Sequence, residues 1–176
     1  MFFLPFHCRL QFLKSFILPH FDYCASIFVY MAKCYIDKMA RLYNYCIFIL
    51  LNIKLSFLSE SEQFDVLKQY NLFPYKYRLL YRFSTFSYKI LKQCLLVNIF
   101  TKLIPKVYKR SLRSTTSLIY VIPICKTNLG QKRLSFFLPK FVNLILKHSY
   151  NLSFNDFKKA ILSNIVVYFE KFILLL

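Results

Sequence analysis

Apolar positions recur at helical spacing along most of the chain. Ile36, Met39, Leu42, Tyr43, Cys46, Ile49, Leu50 and Ile53 fall near the period that holds side chains on one face of an α-helix, so a long helix is expected over 36–53. A shorter helix over 12–18 should stop at Pro19, whose ring disfavours helix in the residue before it, with a further helical stretch over 23–32. Ser59 followed by Glu62 has the capping-box pattern, and Glu60 suits the positive end of a helix dipole, which predicts a helix over 60–69. Pro74 fits the first turn of another helix reaching 93, followed by a short helical piece to 104. Over 115–137 the pattern changes. β-Branched residues, Pro123 and the single glycine, Gly130, predict two short extended runs about a turn, a β-hairpin-like excursion. Helix resumes over 141–148, and Ser153 with Asp156 repeats the capping pattern ahead of a last helix over 154–172. The expected fold is mainly α, a bundle of five to seven helices with one short hairpin-like excursion. Its expected divisions are an unassigned N-terminus (1–11), a helical region carrying a basic helix (12–104) and a C-terminal region (105–176).

Composition adds a constraint. The chain has 176 residues, the size of one domain, and 57% of them are hydrophobic, above the usual share for a soluble domain. A membrane span needs about 20 mainly apolar residues. The longest stretches without a charged residue, 42–53 and 114–125, are far shorter, and the prolines interrupt helices further. The opening MFFLPFHCRL lacks a basic n-region and meets Arg9 at once, which argues against a signal peptide. The apolar excess therefore points to faces that expect a partner. Six cysteines show no C-x-x-C pair, so buried free thiols in a reducing, intracellular setting are expected. His20, Asp22 and Cys24 alternate closely, but no further ligands accompany them, and neither a metal nor another cofactor is expected.

Several strings share the pattern of one family. SFILPHFDYC at 15–24, IDKMARLYNYCIFIL at 36–50 with Asn44, and NLFPYKYRLLYRFSTFSYKIL at 71–91 stand in that order. LRSTTS followed by CKTNLGQKRLSF, then SFNDFKKAI at 153–161, complete the series. Together they resemble the C-terminal region of reverse transcriptases of non-LTR, jockey-type retrotransposons, over roughly residues 13–170. The resemblance implies a thumb and its C-terminal extension, which in such polymerases grip template–primer duplex, with the palm as natural intramolecular partner. It departs from the family where tryptophan is usual, at Phe28, Leu72 and Val142, and where glycine and proline are usual, at Leu138 and Leu146. Those changes read as decay, since they remove large buried aromatics and a residue free to take positive φ.

Charge carries the remaining signal. The net charge is +18, and between Val66 and Asn155 there are 16 Lys and Arg and no Asp or Glu. A stretch so one-sided repels itself unless anions compensate it, and phosphate is the natural candidate. On the Pro74 helix, Arg78, Arg82, Lys89 and Lys92 fall within an arc of roughly 80° at 100° per residue, a basic ridge along one face. A second cluster comprises Lys106, Lys109, Arg110 and Arg113, and Lys132 and Arg133 lie beside Gly130; tyrosines among these charges could stack on bases. Residues with AT-rich codons (Phe, Tyr, Met, Ile, Asn and Lys) supply 81 positions, so the lysines alone read equally well as a solvated face. The arginines run against that bias.

Catalysis is not expected. A polymerase needs clustered carboxylates to hold two metal ions, whereas the chain has seven acidic residues and no adjacent aspartates. Asp22 is better read as a helix-terminus or ion-pair residue. The expectation is a truncated, non-catalytic remnant of an RNA-directed DNA polymerase, binding RNA or DNA duplex weakly and in a salt-dependent way. The alternative is a small helical structural or interaction protein, associated with membranes through aromatic and basic faces.

Overall fold

A computed structural model describes residues 3–23, 25–55, 57–93, 120–124, 126–127, 134–146 and 152–173. The fold is mainly α, with no strand longer than an isolated bridge at Tyr120 among the described residues. The helices are α1 (Phe6–Phe12), α2 (Leu18–Asp22), α3 (Ala25–Phe28), α4 (Lys33–Leu51), α5 (Glu60–Lys68), α6 (Tyr75–Gln93), α7 (Leu134–Phe141), α8 (Phe154–Ser163) and α9 (Ile165–Ile173), with π-helical turns at Leu13–Ile17 and Val142–Leu146. The chain divides into two compact units, Met1–Arg82 and Phe83–Leu176, so α6 contributes to both. The expected boundary near 104 lies outside the described residues.

In the first unit, helix begins earlier than the periodicity predicts and continues through Pro19. Phe6 already starts α1, and the π turn joins it to α2, where Pro19 occupies the first turn. The Leu18 amide bonds the Leu13 carbonyl five residues back. This wider turn relieves the clash a proline ring makes with the preceding helical turn, so Pro19 does not end the helix. Arg9 Nη1 donates to the Leu50 carbonyl at 2.9 Å, satisfying one of the orphan acceptors at the end of α4.

Helix α4 buries Ile36, Tyr43, Ile47 and Leu51, while Leu42 and Ile49, expected on the core face, are exposed. Apolar residues surround its C-terminal half on almost every side, so spacing alone does not choose the buried stripe. Aromatic contacts do. Tyr43 meets Phe21 edge-on at 5.3 Å and Tyr75 at 6.0 Å between ring centroids, and its hydroxyl donates to the Phe73 carbonyl at 2.7 Å, fixing the chain just ahead of α6. The α5 capping box forms as expected: Ser59 Oγ accepts from the Glu62 amide, and Glu62 accepts from the Ser59 amide at 2.7 Å. Beyond α5, Asn71 takes a left-handed φ of 55°, with Leu72 N–H on the Leu67 carbonyl and Asn71 N–H on the Lys68 carbonyl, a Schellman termination.

In the second unit Phe83 meets Phe141 edge-on at 4.6 Å and Phe137 at 5.5 Å, and Phe141 meets Phe172 at 6.0 Å. Residues 134–137, expected as the far arm of a hairpin, form the first turn of α7, and Pro139 sits inside that helix just ahead of the second π turn. At Tyr120 the Asn143 side chain accepts the backbone N–H and donates to the carbonyl, both at 2.8 Å; the rest of the expected excursion up to 133 lies largely outside the described residues. The single helix expected over 154–172 is broken. Asn164 Nδ2 donates to the Ala160 carbonyl at 3.1 Å, competing with the helical amide ladder, and α9 restarts beyond it.

Leu72 and Leu138 are fully buried, Val142 nearly so and Phe28 half-buried, and Leu138 lies within α7, where no positive φ is needed. Aliphatic side chains thus fill three of the positions at which the sequence resemblance departs. Among the described residues the cysteines differ from expectation: Cys8 and Cys34 are exposed free thiols, and Cys46 is half-buried with its thiol pushed up by burial, while Cys24, Cys94 and Cys125 lie outside the described residues.

Candidate nucleic-acid interface

The basic ridge of α6 is assembled from residues with three different surroundings. The Pro74 carbonyl accepts the Arg78 amide at 3.0 Å and starts the helix. One turn inward, Arg78 grips Asp22 at the end of α2 with both arms of its guanidinium, Nε to Oδ1 at 2.6 Å and Nη2 to Oδ2 at 2.5 Å. Arg82 Nη2 donates to the same Oδ2. The side chains of Arg78 and Asp22 are only 16% and 15% exposed, whereas Arg82 is 45% exposed. Asp22 therefore acts as an ion-pair residue. It stands at the negative end of α2, a position that disfavours a carboxylate unless cations compensate it, and two do. The two guanidinium groups thus share one carboxylate, and Arg82 is the more exposed of the two.

Farther along α6, in the second unit, Lys89 is exposed with Nζ 5.5 Å from the Phe154 ring centroid, and Lys158 approaches the same ring at 4.2 Å. Lys92 is also exposed. Two ammonium groups drawn to one aromatic ring repel each other, so this corner favours an added anion. The remaining expected contact residues, Lys109, Arg110, Arg113, Lys132 and Arg133, lie outside the described residues, as does Lys106.

Three of the four tyrosines of α6 are withdrawn from stacking. Tyr75, Tyr77 and Tyr88 are buried, and Tyr88 donates to the Leu152 carbonyl at 2.7 Å. Burial pushes the Tyr75 phenol up to about 12, and raises Tyr43 and the half-buried Tyr81, whose neighbour Arg82 works in the opposite direction. Among the described residues no three His, Cys, Asp or Glu converge as a metal site, and no helix is long and apolar enough to cross a membrane.

Exposed aromatics and cations do meet at one place that periodicity did not single out. A cavity of about 550 Å³ lies between α4 and the segment leading into α5. Arg41, Asn44, Tyr45 and Phe48 form one wall, at helical spacings of three and four. Lys54, Leu55 and Phe57, with Gln63 of α5, form the other. The available signal was the spacing of Arg41, Tyr45 and Phe48 on the side of α4 opposite Tyr43 and Ile47. Compared with known proteins, the chain matches no family model, no curated protein and no solved structure.

Proposed function

We propose that this chain is a non-catalytic nucleic-acid-binding protein, derived from the C-terminal region of a non-LTR retrotransposon reverse transcriptase. It contacts the phosphates of RNA or DNA duplex through the exposed basic side of α6. The observation that carries the proposal is the one-sided charge: 16 cations and no carboxylate from Val66 to Asn155, within a chain of net charge +18. The phosphate contacts belong to Arg82, Lys89 and Lys92, which are exposed, while Arg78 positions Arg82 through their shared Asp22.

Labelled RNA–DNA duplex titrated with the protein at several chloride concentrations tests this. Affinity should fall steeply with salt, and Lys89→Ala with Lys92→Ala should reduce the slope of log K against log salt by about 2, each lost phosphate contact being worth about 0.9. A double variant with wild-type affinity and slope would overturn the assignment. A second reading, a helical interaction protein, draws on the apolar side chains that the first unit exposes, among them Phe16, Tyr23 and Ile27. In the retrotransposon reading the same surface awaits the polymerase palm. Partition into neutral liposomes in preference to duplex would favour a membrane-associated interaction protein instead.

A further inference from the structure

The cavity between α4 and α5 has a built framework and an unusual lining. Asn52 ends α4 in the left-handed region, at φ 58°, and turns the chain back. Leu55 is then buried in the core, which anchors the segment between Lys54 and Phe57. Gln63 Nε2 clasps the same segment, donating to the carbonyls of Leu55 at 3.0 Å and Leu58 at 2.9 Å. Both amide hydrogens are thereby committed, and the Gln63 carbonyl oxygen is left as the acceptor it can offer.

Around that framework the lining combines three chemistries. Arg41 and Lys54 supply two positive charges; no carboxylate lines the cavity, and neither residue has an ion-pair partner among the described residues. Tyr45 and Phe57 are 59% and 87% exposed, and Phe48 adds a third aromatic side chain. Asn44 adds an amide that both donates and accepts. A simple anion would use the cations and leave the aromatic faces wet. An apolar ligand would use the rings and leave two charges and two amides facing it.

An aromatic anion uses all three, and the volume lies in the range of small-molecule sites. We infer that this cavity binds a nucleoside phosphate, either a free mononucleotide or an unpaired nucleotide of a single strand. The phosphate pairs with Arg41 and Lys54, with Arg41 able to bind it through two parallel hydrogen bonds. The base stacks on the exposed aromatics, a sequence-tolerant mode of recognition. Asn44 and Gln63 meet its polar edge. Only the single-strand source rests on the nucleic-acid reading proposed above.

The full-length chain is titrated with AMP, with an unpaired ten-nucleotide RNA, with inorganic phosphate, and with the RNA–DNA duplex. Saturable binding of AMP or of the unpaired RNA is expected. Phe57→Ala should weaken it about fivefold or more, by loss of stacking, and Arg41→Ala with Lys54→Ala about tenfold or more. These side chains are exposed, so circular dichroism should match wild type, and Phe57→Tyr should bind as wild type does. AMP binding identifies a free-nucleotide site, and binding of the RNA alone identifies a strand site. Inorganic phosphate binding as tightly as either ligand, or Phe57→Ala leaving both affinities unchanged, would overturn the inference. The duplex arm separates the two proposals: Lys89 and Lys92 variants should weaken duplex binding and leave AMP binding as it is.

Discussion

Two buried tyrosines in one cluster have opposite hydrogen-bonding situations, and that difference is measurable. The Tyr43 hydroxyl donates to the Phe73 carbonyl, whereas the Tyr75 hydroxyl is buried without a hydrogen-bond partner among the described residues. Removing a made bond strands the Phe73 carbonyl, so Tyr43→Phe should cost about 1–2 kcal/mol; removing an unmet hydroxyl should leave stability unchanged or raise it slightly in Tyr75→Phe. The pH dependence has a definite sign. Burial raises the Tyr75 phenol from 10.0 to about 12, so its contribution is full below pH 10 and is lost as pH rises through about 12. Tyr75→Phe should therefore move the alkaline unfolding midpoint upward, read by circular dichroism against the tyrosinate absorbance. An unchanged or lowered midpoint would show that this phenol does not govern alkaline unfolding. The asparagines tell a related story. With one glycine in the sequence, Asn52 and Asn71 take the positive φ values at the ends of α4 and α5, a role asparagine fills because its short polar side chain tolerates that region.

Between elements, the contact with the largest expected effect is the pairing of α2 with α6 through Asp22. Asp22→Ala would leave the mostly buried Arg78 without its counter-charge. Breaking buried pairs typically costs 3–5 kcal/mol; the partial exposure here lowers the expectation to about 2 kcal/mol, measured by urea unfolding. Arg82→Ala removes the more exposed partner and should cost less than about 1 kcal/mol. Equal losses from both changes would mean that the chelate acts as one unit. These elements also mark what sequence alone reveals. The capping sites at Ser59 and Ser153 and the start of α6 after Pro74 were legible because each depends on residues within one turn. The Asp22–Arg78 pairing spans 56 positions and leaves no local pattern, so the ridge looked uniform in sequence although its first arginine is engaged in the fold. The passage through Pro19 and the break at Asn164 depend on a π turn and on a side-chain hydrogen bond, and neither follows from apolar periodicity. The α4–α5 cavity has no distinct signature in the sequence, because aromatics are so abundant in this chain that Tyr45, Phe48 and Phe57 do not stand out.

For the whole molecule, the governing quantity is a net charge of +18 on a 176-residue chain. Only three carboxylate–cation contacts are formed among the described residues, and two of them share Asp22. Most of the positive charge is therefore balanced by solvent ions, and at low ionic strength it opposes the compact state through self-repulsion. Screening should relieve this: the Debye length falls from about 30 Å at 0.01 M salt to about 8 Å at 0.15 M. The melting temperature should accordingly rise by several degrees over that range of sodium chloride, with chloride used because sulfate strengthens apolar burial by a separate route. A short duplex added at low salt should raise it further, since a ligand that binds only the folded state stabilises it by mass action. The same duplex should add little at high chloride, where phosphate contacts are screened. A melting temperature indifferent to both salt and duplex would mean that the cations are compensated within the fold, as Arg78 is by Asp22, and would remove the physical motive for a phosphate-bearing partner.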